Sequence, residues 1–216
     1  QTQPVFDHAR DLGIWAIVGS AHPLTGRHKP HNSLSAISPE GIVDRYDKRF
    51  CTGGDLKFYS PGDHFTTFEI NGVRCGMLIC YDVRFAELYR AYASEGVKLI
   101  FHCFHNARGD RADGGIWRII MRPTLQAMAG ANAMFISAPN SCAKYQSWPG
   151  VFITPDGRIE TSHRRGRPGL IVDTVDTNKD YYDAAGGFRD LGIAGKLNTG
   201  KLVADPPSRD RQSLYR

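Results

Sequence analysis

Between Asn71 and Arg84 the chain reads Asn-Gly-Val-Arg-Cys-Gly-Met-Leu-Ile-Cys-Tyr-Asp-Val-Arg, and no other stretch limits the fold as much. Asn-Gly is the strongest short signal for a two-residue hairpin, because both positions tolerate the positive φ that a type I′ turn requires. Thr66–Ile70 and Val73–Ile79 are therefore expected as paired strands. The second is largely apolar and runs through Cys80 into the helical pattern Phe85–Glu95. Cys80 is thus delivered to a polar turn between a strand end and a helix.

That placement suits a nucleophile. Thiolate is the reactive form of cysteine, and a helix N-terminus offers unpaired amides that stabilise an anion and lower a thiol pKa. Acyl transfer also needs a donor for the developing oxyanion, commonly the backbone amide after the nucleophile. Here it is the amide of Tyr81. The competing reading of Cys80 is a small buried apolar residue.

Leu78-Ile79-Cys80-Tyr81-Asp82-Val83-Arg84-Phe85-Ala86-Glu87-Leu88 resembles the nucleophile segment of the carbon–nitrogen hydrolases, the nitrilase superfamily. Upstream, Asp44-Arg45-Tyr46-Asp47-Lys48-Arg49-Phe50 is similar to the family's catalytic-lysine segment. Ser60-Pro61-Gly62-Asp63 falls where the family carries a loop before the hairpin. The resemblance implies an α/β fold, a four-layer α-β-β-α sandwich, usually dimerised through helices. It also implies Cys80 as nucleophile and Lys48, with the Tyr81 amide, as oxyanion stabiliser. The family's general base is a glutamate well upstream of the lysine. No residue of this chain matches it, and Glu40, in a hairpin turn, is a poor substitute. The resemblance therefore implies a domain without its N-terminal strands, and a 216-residue form not competent for turnover. Asp55 stands where relatives carry a second glutamate, and either supports Lys48 or is a solvated loop acid. The later Arg-Ala-x-Glu-Asn pattern is altered to Met128-Ala129-Gly130-Ala131-Asn132.

Elsewhere the pattern is strand-rich α/β within one domain of 216 residues. A helix over Pro4–Leu12 stops at Gly13, followed by a strand at Ile14–Gly19. Asn32–Ser38 and Ile42–Tyr46 form a second hairpin that delivers Lys48 just past a strand end. After Gly96 come a strand at Leu99–Cys103, a polar loop, and a helix at Ile116–Ala131 that Pro123 should kink or restart. Strands are expected at Met134–Ala138, Val151–Ile153, Arg158–Ser162 and Gly169–Val175. Residues Asp176–Arg216 read as a tail or an oligomerisation arm.

With 27 Lys and Arg against 22 Asp and Glu, the charge of +5 is interspersed. His163–Arg167 reads as a solvated loop, so no nucleic-acid partner is expected. No apolar run approaches a membrane span. Five cysteines, without Cys-x-x-Cys spacing, point to a reducing compartment, taken as cytoplasm. His102-Cys103-Phe104-His105 puts residues 102 and 104 on one strand face and offers at most two metal ligands. No metal or other cofactor is expected. His105, Asn106 and Arg108 are candidates for a pocket rim, whereas Trp117, Phe135 and Trp148 read as core or interface.

The reading is a cofactor-independent thiol amidohydrolase, acting on a small-molecule amide through a cysteine thioester, as a homodimer or larger homo-oligomer. Tyr81-Asp82 resembles the amidase branch, since nitrile-cleaving members more often carry Trp-Glu. The alternatives are an N-carbamoyl amide hydrolase or nitrilase, and a catalytically silent binding or assembly subunit.

Overall fold

The computed structural model describes residues 3–105 and 115–200; Asn106 and Arg108 lie outside them. The chain divides into units Gln1–Ala184 and Ala185–Arg216. The second holds a short helix, Arg189–Ile193.

In the first unit, helix α1 (Gln3–Leu12) ends at Gly13, whose φ of 64° provides the left-handed exit. Three antiparallel strands follow: β1 (Ala16–His22), β2 (His31–Ser38) and β3 (Gly41–Asp47), in the order β1-β2-β3. The last six residues of β2 are buried, and α1 packs on this sheet. Lys48 follows β3 immediately. Its amide donates to the Asn32 carbonyl at 2.9 Å, and its carbonyl accepts from the Gly62 amide at 2.9 Å. A Cβ on Gly62 would lie 2.3 Å from the Asp47 carbonyl oxygen, which explains a glycine in the loop that clamps the lysine segment.

The second sheet has six strands: β4 (Thr67–Ile70), β5 (Val73–Ile79), β6 (Leu99–Cys103), β7 (Phe135–Ala138), β8 (Val151–Ile153) and β9 (Ile159–Ser162), hydrogen-bonded in that order. Asn71 and Gly72 turn β4 into β5 at φ 49° and 78°, as the type I′ signal requires. Strands β5, β6 and β7 are parallel, joined through helices α2 (Ala86–Ser94) and α3 (Gly115–Asn132). Parallel strands align their carboxyl ends, where open α/β sheets place their ligands.

One apolar cluster joins both sheets: Leu34 and Tyr46 of the first meet Met77, Leu78, Ile100 and Ile136 of the second, with Tyr89 and Tyr92 from α2 and Leu125 from α3. Tyr92 fixes α2 over β5, its hydroxyl donating to the Met77 carbonyl at 2.8 Å. A Cβ on Gly76 would come within 2.7 Å of its ring, so this mid-strand glycine makes room for the helix.

Two expectations fail. Gly169–Val175 is not a strand. Ile171 and Val175 pack on the core, while Leu170 and Val172 are exposed, so the alternation marks one packed face without a ladder partner. Pro123 does not interrupt α3, which runs through it for 18 residues. The Thr124 hydroxyl donates to the Ile120 carbonyl at 2.8 Å beside it.

Candidate active site

Cys80 leaves the carboxyl end of β5 with φ 46°, a left-handed conformation uncommon for a residue with a side chain. It opens a five-residue 3-10 turn, Cys80–Arg84, and α2 begins only at Ala86. The expectation that Cys80 faces a full helix N-terminus is therefore corrected. Asp82 closes the turn from inside at 0% exposure. Its Oδ2 accepts from the Ile79 amide at 3.0 Å and the Tyr46 hydroxyl at 2.8 Å, and its Oδ1 from the Phe50 amide at 3.0 Å. Burial raises its carboxyl pKa despite these donors. Asp82 thereby ties the elbow to both flanks of Lys48, a role the sequence reading did not assign.

Lys48 is 3% exposed, which excludes a bulk-solvent ammonium. Its Nζ donates to Asp55 Oδ2 at 2.5 Å, and that oxygen also accepts from the Thr52 amide at 2.9 Å. Burial works to raise the Asp55 carboxyl, but the Lys48 and Thr52 donors outweigh it and hold the pKa below its ordinary value. Asp55 is thus an ion-pair partner and not a solvated loop acid.

Lys48, Asp55, Cys80, Tyr81 and His105 line one cavity of about 340 Å³. The Cys80 thiol points toward the His105 carbonyl, Sγ to O 3.9 Å. Burial pushes the thiol pKa up, and the opposing pull of Lys48 and the His105 backbone does not reverse it. The helix-terminus reading predicts a lowered pKa, and the short turn and the burial of the thiol account for the difference.

The sequence reading missed part of the wall. Thr52, Val83, Arg84, Trp117 and Met121 complete it. Arg84 lies over the Trp117 ring at 4.0 Å from its centroid, and its Nη2 reaches Met121 Sδ at 3.6 Å. Trp117, expected as core or interface, faces the pocket. Its distance in sequence from Cys80 gave no local signal, whereas Phe135 and Trp148 are buried as expected. Glu40 bonds Ser38 in its hairpin turn.

A larger cavity, about 860 Å³, lies between β4–β8 and the segment 163–178. It holds neither Lys48 nor Cys80; thiol, ammonium and carboxylate converge in the smaller one. Among the described residues no three His, Cys, Asp or Glu side chains are grouped to hold a metal ion, and no helix is long and apolar enough to cross a membrane.

The sequence model of the carbon-nitrogen hydrolases matches residues 1–179. This chain belongs to that family. The carbon-nitrogen hydrolase chain is 34% identical to the omega-amidase NIT2 of Homo sapiens over 175 residues, 73% of this chain and 60% of that protein. It is 36% identical to an (R)-stereoselective amidase of Pseudomonas sp over 98 residues, 45% of this chain and 35% of the relative. It therefore spans less than two thirds of the length of these curated relatives. Its mixed α/β fold is that of nitrilase-superfamily amidases. A solved amidase from Nesterenkonia sp. AN1 superimposes with a TM-score of 0.69 at 22% identity, over 89% of this chain and 73% of that one, in a form showing Michael addition of acrylamide at its active-site cysteine.

Proposed function

We propose that this hydrolase cleaves a small amide with Cys80 as nucleophile, Lys48 and the Tyr81 amide as oxyanion donors, and Asp55 as the acid that orients Lys48. The observation that carries the reading is a thiol on a left-handed strand-end turn sharing one small cavity with a buried, ion-paired ammonium. Sγ attacks the amide carbon, and the thiol proton ends on the departing nitrogen. The tetrahedral adduct collapses to a thioester, expelling ammonia or amine, and water then releases the acid. Lys48 acts as a fixed positive charge where the oxyanion forms. His105 forms the rim. Amidases among the relatives, and Tyr81-Asp82 after the cysteine, favour amides over nitriles or N-carbamoyl compounds. We also place the protein in the cytoplasm as a homodimer or larger assembly, which light scattering at micromolar concentration tests.

A second reading has its own support. The thiol proton needs an acceptor, and Asp55, the carboxylate lining the cavity, is already bonded to Lys48 and Thr52. A catalytically silent scaffold would look the same. Ammonia release from short-chain amides, compared between the wild type and Cys80→Ala, decides. Turnover abolished in the variant supports the amidase, undiminished turnover refutes Cys80, and none in either supports the silent scaffold.

A further inference from the structure

His102 belongs to none of the groups above, yet it is built against them. In the parallel ladder it pairs with Leu78, two residues before Cys80, and it is 0% exposed. Its Nδ1 lies 2.6 Å from the Tyr89 hydroxyl, itself buried, and its ring stacks on Phe104 with centroids 4.1 Å apart. Tyr89 and Phe104 thus fix the plane of the imidazole. Its Nε2 is buried with no regular hydrogen-bond partner. Of the backbone groups, that of Cys80 acts on the ring against the burial that pushes its pKa down to about 3 and keeps it neutral; a group that favours the protonated ring is an acceptor, which makes it the Cys80 carbonyl.

A neutral imidazole carries one proton. When the Tyr89 hydroxyl donates to Nδ1, that proton sits on Nε2. The Cys80 carbonyl and the Tyr81 N–H belong to one planar trans peptide and point in opposite directions. Cys80 also holds a φ that non-glycine residues keep only where neighbours impose it.

We propose that His102 is a positioning residue: its Nε2–H holds the Cys80 carbonyl from the buried side and so aims the Tyr81 amide into the cavity. This rests on the reading of that amide as an oxyanion donor. The contact tightens when the oxyanion forms, as catalytic hydrogen bonds do on leaving the resting state.

Histidine ¹⁵N labelling and backbone amide spectra test it without turnover. His102 should carry its proton on Nε2, and the Tyr81 amide signal should move in His102→Leu and return in His102→Gln, whose side-chain amide restores a donor. In assays, His102→Leu should lower kcat roughly 10- to 100-fold with KM within about threefold, and His102→Gln should recover most of it. If His102→Leu does not fold, Tyr89→Phe takes its place: it frees the plane of the ring, so the Tyr81 amide signal should move while Nε2 keeps its proton. A proton on Nδ1, an unmoved Tyr81 amide in folded His102→Leu, or equal losses of rate and melting temperature in the Leu and Gln variants would overturn the proposal. A Tyr81 amide signal that stays put in folded Tyr89→Phe would do the same. Expected spectra beside amide turnover that Cys80→Ala leaves undiminished would support the positioning and refute the catalytic reading.

Discussion

The Tyr46 hydroxyl donates to Asp82 at 2.8 Å across 36 residues of sequence, joining the strand that leads to Lys48 to the turn that begins at Cys80. The Phe50 amide makes a second such link, and Phe50 stacks on Phe85 with centroids 3.4 Å apart. The Cys80 turn and the Lys48 segment are thereby tied together. Tyr46→Phe should lose about 1–2 kcal/mol in urea unfolding, and Asp82→Ala, which orphans three buried donors, roughly 3 kcal/mol or more. Ammonia release should fall by more than the loss of folded protein accounts for.

Lys48→Gln should cut turnover by on the order of 10²- to 10³-fold, the cost of removing one oxyanion donor. KM should change little. A loss below about threefold, measured at saturating amide, would remove Lys48 from the mechanism.

Asp55 gives an acid-side signature. Its carboxyl is held below the ordinary 3.8, so the unfolded chain binds the proton more readily. The stability it contributes is full above that value and is lost as pH falls through the lower folded value. Asp82, with its raised pKa, has the opposite slope: stability declines as pH climbs above 3.8 toward its folded value. The difference between wild type and Asp55→Asn isolates the first effect, and urea midpoints should converge as the buffer is taken below about pH 4.

Iodoacetamide labelling of Cys80 in the free protein should still be rising above pH 8, because burial lifts the thiol pKa. Slow labelling at neutral pH is then no sign of an inert cysteine, which removes one simple way of separating the two readings. A rate already saturated at pH 7 would contradict the buried geometry.

Trp117→Ala should raise KM for the smallest amides about tenfold and admit bulkier ones, since it removes one wall of the cavity and the face on which Arg84 rests. Competition between acetamide-sized and aromatic amides reads this directly.

Much of the site's frame was legible because it is local. Asn71-Gly72 fixed the hairpin that ends at Cys80, and the β2–β3 hairpin placed Lys48. What could not be read depends on contacts between distant segments. Trp117 reaches the pocket only through the turn of α3, and Asp82 shows its purpose only when Tyr46 of β3 and Phe50 of the loop after it arrive. The strand expected at Gly169–Val175 failed for a related reason: alternation records which side chains are buried, not whether a neighbouring backbone completes a ladder. The thiol was misjudged because a strand-to-helix transition in sequence gives no hint of the 3-10 turn between them.

The raised pKa of the Cys80 thiol also bears on how long the protein survives in use. Oxidation to sulfenic acid follows thiolate character and access, so a resting Cys80 that stays largely neutral is a slow target for peroxide. Among the described cysteines Cys142 is exposed while Cys75 and Cys103 are held at about 12 and about 11. Oxidative damage should therefore begin at Cys142, on the surface, and leave the cavity intact.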